Sequence, residues 1–149
     1  MKRIIPIHLA VEDSLSEWVV RRALASRPFA YEIRTVHSRG GFGVLKRQIS
    51  AYNLAARRTP FLVLTDLDQH PCPPELISNW LSHPKDPQLL LRVAVREVEA
   101  WLLADTDGLT AFLGLRKAIS IPHPEMLPDP KLHLLRLAEA RPRRDLREA

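Results

Sequence analysis

Four short apolar segments alternate along the chain with segments of helical periodicity, and this alternation limits the fold more than any other feature of the sequence. The apolar segments cover residues 3–11, 31–37, 61–65 and 89–95. Helical spacing of apolar side chains fills the intervals between them, at 14–25, 44–58 and 73–80. This order is typical of a parallel sheet covered by helices. The sequence therefore predicts an α/β fold with a mostly parallel central sheet and helices on both of its faces.

Further helices are predicted after the last strand, at residues 97–104, 109–115 and 131–140, with a proline-rich connector at 116–130. A chain of 149 residues is expected to form one domain, which we predict to cover residues 1–149. Its 22 Lys and Arg against 17 Asp and Glu give a net charge of +5. This moderate excess is compatible with a phosphate-rich partner.

Cysteine usage and hydropathy give an expectation for the compartment. Cys72 is the single cysteine and has no partner for an internal disulfide, which favours the reducing cytoplasm. The N-terminal apolar run is interrupted by Pro6 and His8 and is too short for a signal peptide. No segment approaches the roughly 18 apolar residues of a membrane helix, so no membrane partner is expected.

Local signals place several side chains. Pro6 lacks an N–H, so the first strand is predicted to lie at an edge or to carry a bulge. Ser14 and Glu17 have the spacing of a capping box at the start of the first helix. Four side chains share one face of the second helix: Leu45, Ile49, Tyr52 and Ala56. Three tryptophans lie in helix-periodic segments and are predicted to be core residues: Trp18, Trp80 and Trp101.

Acidic residues follow three of the predicted strands, at the point where each strand ends. They are Glu12 and Asp13, Asp66 and Asp68, and Glu97 and Glu99. Ligands of open parallel sheets bind at this edge, and clustered carboxylates repel one another unless a cation lies between them. Mg²⁺ prefers oxygen ligands and needs few carboxylates. We therefore expect a Mg²⁺ or Mn²⁺ site there, with Asp66 and Asp68 on the same side of an extended segment.

Each acidic pair also has a structural interpretation. An Asp after a strand is often a turn or cap residue, and Glu12 with Asp13 fits cap chemistry. Glu97 and Glu99 alone fit a solvated helix. The coincidence at three strand ends favours the metal site. Other motifs are weaker, because the glycines at 40–43 lack the Lys-Ser/Thr of a phosphate loop and no second ligand pair accompanies His70 and Cys72.

These residues also carry a family likeness. An apolar strand followed by Glu12 and a capped helix, then a strand ending in Asp66-Leu67-Asp68, resembles a Toprim domain. Toprim domains are the Mg²⁺-dependent modules of topoisomerases, primases and the overcoming-lysogenization-defect nucleases. Many relatives have Glu-Gly after the first strand, whereas Asp13 follows Glu12 here.

Two further segments make the likeness more specific. Residues 96–105, with the sequence REVEAWLLAD, resemble the RE-x-EAW-x-x-AD signature of a bacterial Toprim-like family long catalogued only as a domain of unknown function. Asp129-Pro130-Lys131 resembles a short downstream motif of that family. The resemblance extends from about Arg3 to Leu135. Relatives often continue beyond the point matching Ala149, so the C-terminal part is expected to be short.

The resemblance implies a Toprim-like fold and a Mg²⁺-dependent nuclease of phage defence that acts beside an ABC-type ATPase. By position, Glu12 is expected to be the general acid/base, with Asp66 and Asp68 as metal ligands. Glu97 or Glu99 would complete the acidic cluster; we assign Glu97 to the metal and Glu99 to catalysis. Three basic residues are expected to hold the nucleic-acid backbone: Arg39, Lys46 and Arg96.

The sequence leaves open two alternative functions and two conformations of residues 96–99. The chain also fits a non-catalytic Toprim-fold module docking on a partner ATPase, or a small nucleotide-binding doubly wound protein. A homodimer is a further expected assembly. If residues 96–99 are extended, Glu97 and Glu99 share a face, whereas a helix beginning at Arg96 separates them. Glu99 is then either catalytic, with Trp101 as a packing anchor, or a buried acceptor of backbone or arginine hydrogen bonds.

Overall fold

A computed structural model of the protein describes residues 4–38 and 40–140. Its sheet contains four parallel strands in the order β2-β1-β3-β4. The strands are β1 (Ile4–Val11), β2 (Ala30–His37), β3 (Phe61–Asp66) and β4 (Leu89–Ala94). The predicted α/β class with a parallel central sheet is therefore confirmed.

Six α-helices lie in the described part of the chain. They are α1 (Ser14–Ala25), α2 (Gly41–Ala56), α3 (Pro73–Trp80), α4 (Val98–Ala104), α5 (Thr106–Leu113) and α6 (Pro130–Glu139). A short 3-10 helix, Pro124–Met126, lies within the predicted connector. The chain divides into two compact units, one extending to Val95 and one beginning at Arg96. The single domain over residues 1–149 stays a prediction.

The main core lies between one face of the sheet and the helices α2 and α3. Alternate residues of β3 and β4, together with Ala10 of β1, form the strand side of this core, because side chains alternate across a pleated sheet. The helical side includes all four residues predicted to share a face of α2: Leu45, Ile49, Tyr52 and Ala56. The α1 crossover leads outward to β2, and the α2 crossover leads back across β1 to β3. Right-handed connections therefore place α1 on the opposite face from α2.

Pro6 lies in an interior strand, next to an irregularity in the pairing. The register of β1 with β2 shifts between Ile7 and His8, which fits the predicted bulge. Pairing of β1 with β3 begins only at His8, whose N–H donates to the Pro60 carbonyl at 2.9 Å. The missing N–H of Pro6 thus falls before the segment that pairs with β3.

The cap of α1 differs from the prediction by one residue. The N-cap is Asp13, and its carboxylate accepts the Ser16 N–H at 2.8 Å. Glu17, the expected partner of Ser14 in a capping box, instead forms an ion pair with Arg21 at 2.8 Å. A shorter Asp side chain in the extended conformation before the helix satisfies the same orphan donor.

Two of the three predicted core tryptophans are exposed. Trp80 is buried, with 5% of its surface exposed, as predicted. Trp18 is 70% exposed and Trp101 is 44% exposed, so these two predictions are wrong. Apolar spacing identifies a helix but does not decide which residue at the border of its apolar stripe turns inward. In the described residues, no helix is both long and apolar enough to cross a membrane.

Candidate functional site

Glu12 connects the ends of two neighbouring strands. It follows the last residue of β1, and Val11 pairs with Leu64 of β3. Glu12 Oε1 accepts a hydrogen bond from the Thr65 hydroxyl at 2.5 Å and another from the Asp66 N–H at 2.8 Å. Because Thr65 is buried, this carboxylate oxygen is held in a fixed position at the carboxyl edge of the sheet. The structure thus brings together Glu12 and Asp66, which are far apart in sequence.

The second oxygen of the Glu12 carboxylate, Oε2, differs from the first in its hydrogen bonding. Within residues 4–38 and 40–140, no donor forms a hydrogen bond with Glu12 Oε2. The residue is half-buried. One oxygen therefore anchors the side chain, while the other is available to a ligand or a proton.

Asp68 departs from the extended geometry that the sequence predicts. Strand β3 ends at Asp66, although the Leu67 N–H still donates to the Ala94 carbonyl at 2.9 Å. Asp68 then has a φ of 50°, in the left-handed region. Asp is among the few residues with a side chain that visit this region, and such conformations cluster at functional loops. The expected common direction of Asp66 and Asp68 is therefore wrong in its premise, because the pleat ends before Asp68.

Glu97 has a structural role that the sequence did not reveal. It is extended, with a φ of −137°, and is the N-cap residue of α4. Its Oε2 accepts the Lys131 N–H in the first turn of α6 at 3.3 Å. A carboxylate at a helix N-terminus is favourable because it faces the positive end of the helix dipole. Asp129 caps the same helix, accepting the Leu132 N–H at 2.7 Å, so two carboxylates bind the first turn of α6.

Glu99 is buried in the second compact unit. Only 7% of its surface is exposed, and its carboxylate accepts no hydrogen bond from any residue of the described chain. The structural alternative, with backbone or arginine donors to Glu99, therefore finds no support in those residues. Neither geometry expected for residues 96–99 is right, because α4 begins between them, at Val98. Trp101, the expected packing anchor, is partly exposed instead.

Two of the three basic residues expected to hold nucleic acid, Lys46 and Arg96, lie in the described part of the chain. Lys46 is exposed on α2 and forms no ion pair with a described residue. Arg96 is half-buried and follows β4 in the second unit. Arg39 lies outside the described residues. Their role stays a prediction.

The arrangement can be compared with what a divalent cation requires. Among the described residues, no three His, Cys, Asp or Glu side chains form a group that could hold a metal ion. Mg²⁺ does not depend on such a cage, because it commonly binds one or two carboxylates and takes its other oxygens from water and substrate phosphates. What the structure shows here is the Glu12 carboxylate held at the Thr65 hydroxyl and the Asp66 backbone N–H. A Mg²⁺ site at this edge of the sheet stays a prediction.

Comparisons with known proteins give no relative. No protein-family profile, no curated protein and no solved structure matches this chain.

Proposed function

We propose that this protein is a Mg²⁺-dependent nuclease with a Toprim-like fold, whose active edge is formed by Glu12, Asp66 and Asp68. The observation that carries the proposal is the pair of hydrogen bonds from the end of β3 to Glu12 Oε1. A glutamate that only capped α1 would bond to that helix, and Asp13 already does so. Glu12 is held instead across the edge where parallel sheets bind ligands.

Each carboxylate has a distinct part in this proposal. Mg²⁺ would be held by Asp66 and Asp68 and would neutralise charge on a phosphodiester oxygen and lower the pKa of a bound water. Glu12 accepts or returns the proton through Oε2, while Thr65 and the Asp66 backbone keep Oε1 in place. Thr65 is thus a positioning residue. The proposal does not include Glu97, because its carboxylate binds the first turn of α6.

The test combines metal binding with cleavage. Mn²⁺ should raise the melting temperature of the native protein, because a ligand that binds only the folded state stabilises it. Asp68→Asn should abolish this rise and lower Mn²⁺-dependent cleavage of single-stranded and duplex DNA and RNA by about 100-fold or more, a loss of a few kcal/mol. Asn tolerates the left-handed conformation of position 68, so the substitution removes charge without adding backbone strain.

Asp107→Asn is the matched control, because Asp107 is an exposed aspartate in the first turn of α5. It should leave the Mn²⁺ response and cleavage unchanged. If Asp68→Asn melts at a lower temperature but retains the full Mn²⁺ response, Asp68 is a turn residue and the proposed metal site is wrong. If Mn²⁺ stabilises the protein but no nucleic acid is cleaved, the nuclease is wrong and an interaction module is the better description.

A further inference from the structure

A cleft of about 460 Å³ opens between the end of α1 and the start of β2, within the first compact unit. Its lining includes Arg21, Leu24, Arg27, Phe29, Tyr31 and Ile33. The volume lies within the range of roughly 300–1,000 Å³ that is usual for small-molecule sites. Ala30 pairs with Ile4, so the cleft lies at the amino ends of the strands. The length of β1, about 26 Å at ~3.3 Å per residue, separates it from Glu12.

The charge of the cleft favours an anion. Arg21 is already paired with Glu17 at 2.8 Å. Arg27 is exposed, and no carboxylate of the described residues lies within ion-pairing distance of it. None of the residues that line the cleft is acidic. An anionic group placed beside Arg27 would therefore gain a charge-assisted contact without displacing an existing partner.

The aromatic side chains of the cleft favour a planar ring. Phe29 is 57% exposed, so its ring is accessible from solvent, and it lies two residues after Arg27. Tyr31 is half-buried in the same lining. Nucleic-acid bases stack on exposed aromatic faces whatever their sequence, and arginine beside them binds the phosphate. The lining thus combines the two recognition elements of a nucleotide.

We propose that this cleft binds a nucleotide, with its base against Phe29 and its phosphate beside Arg27. A mononucleotide and a nucleotide of a single strand offer the same base and phosphate, and the experiment separates the two. The proposal does not depend on the acidic edge of the sheet, so binding is measured in EDTA, where metal-dependent cleavage does not occur. An acidic peptide could also contact Arg27, but its carboxylates would not stack on the ring of Phe29.

The experiment measures binding of a short fluorescein-labelled oligothymidylate to the full chain by fluorescence anisotropy. Phe29→Leu keeps an apolar side chain and removes the ring. It should weaken binding about five-fold or more, the factor that corresponds to the lower end of base–aromatic stacking. Phe112→Leu is its control, because Phe112 is 83% exposed and does not line the cleft. Circular dichroism confirms that each variant is folded.

Arg27→Gln is expected to lower the slope of log Kd against log salt concentration by about 0.7, the value for one single-strand phosphate contact. Its control is Arg58→Gln, which removes the same charge from an exposed position outside the cleft. Competition by AMP assigns the site to a free nucleotide, and binding of the oligonucleotide without such competition assigns it to a strand.

Two results overturn the proposal. In the first, each cleft variant binds the oligonucleotide as tightly as its control does. Binding would then depend on the overall positive charge and not on the cleft. In the second, poly-glutamate displaces the oligonucleotide and binds the Phe29→Leu variant as tightly as the native protein, which assigns the cleft to an acidic peptide.

Discussion

Glu99 is a charged residue in a mostly buried position of the second compact unit. Its surface is 7% exposed, and no described residue donates to its carboxylate. Among the described residues, Trp80 Nε1 is the one buried side-chain nitrogen or oxygen without a hydrogen-bond partner, so the Glu99 oxygens retain contact with solvent. The position still disfavours a charge, because burial removes part of the water around the carboxylate.

We expect Glu99→Met to stabilise the protein. Methionine has a similar length and a good helix propensity, and it removes the charge that is poorly hydrated at this position. A gain of about 1 kcal/mol would raise the melting temperature by roughly 3 °C in a chain of this size. Thermal unfolding followed by circular dichroism measures this shift, and a nuclease assay on the same samples shows whether Glu99 is needed for cleavage.

Glu139→Met is the control, because Glu139 is exposed at the end of α6 and its replacement should change the melting temperature little. If the melting temperature drops by several degrees for Glu99→Met and not for the control, Glu99 stabilises the fold.

At the scale of elements, the start of α2 depends on a glycine that has no room for a side chain. Gly40 is the N-cap, with a φ of 129° that residues with side chains rarely adopt. A Cβ added there would lie 2.5 Å from Val44 Cγ2. Backbone strain and a side-chain clash therefore act at the same position.

We expect Gly40→Ala to destabilise the protein by about 2 kcal/mol or more, because both the strain and the clash have to be relieved. Gly114→Ala is a matched control. Gly114 also has a positive φ, of 63°, but a Cβ there meets nothing within 4 Å. That variant should lose only about 1 kcal/mol, the usual cost of left-handed backbone for alanine. Equal losses in urea unfolding would show that Val44 moves aside at little cost.

Most helices and strands could be predicted from the sequence, whereas the residues at which they begin and end could not. Proline at the first turn correctly placed α3, and apolar spacing correctly gave the buried face of α2. The start of α2 was predicted three residues late, because a positive-φ glycine cap at Gly40 has no side-chain signal. The role of Glu97 was missed because its partner is the backbone N–H of Lys131. A backbone donor cannot be recognised from the type of residue that carries it.

At the scale of the whole molecule, stability at alkaline pH depends on a buried phenol. Burial raises the pKa of Tyr52 above its ordinary value of about 10. The folded state thus holds the phenol proton more tightly than the unfolded state does. This contribution to stability is fully present below pH ~10 and is lost as the pH rises through the folded pKa.

We expect Tyr52→Phe to lose less stability than the native protein as the pH is raised above ~10. The ring of Tyr52 stacks on Phe61 with centroids 4.6 Å apart, and phenylalanine retains this contact. Urea unfolding at neutral and alkaline pH measures the difference in the free energy of unfolding. Tyr31→Phe is the control, since Tyr31 is less buried. Parallel loss in all three proteins would show that lysine deprotonation governs alkaline unfolding.

The order of the strands in the sheet explains which part of the candidate site could be predicted from the sequence. Adjacent parallel strands carry the residues that follow them to one edge, so Glu12 was expected near the end of β3. Its anchoring by Thr65 was not expected, because a threonine inside an apolar strand looks like any β-branched residue. The left-handed turn at Asp68 was likewise hidden, since Asp has no obligatory backbone conformation.

The hydrogen bond from the Asp66 N–H to Glu12 has a consequence for evolutionary change at this edge. Every residue type except proline offers the same N–H, so position 66 can exchange its side chain while Glu12 keeps that contact. Position 65 has no such latitude, because only a hydroxyl side chain reproduces the Thr65 contact. A descendant of this sequence can therefore replace the side chain at position 66 in a single step and keep this contact, whereas a change at position 65 also disturbs the neighbouring strand's glutamate.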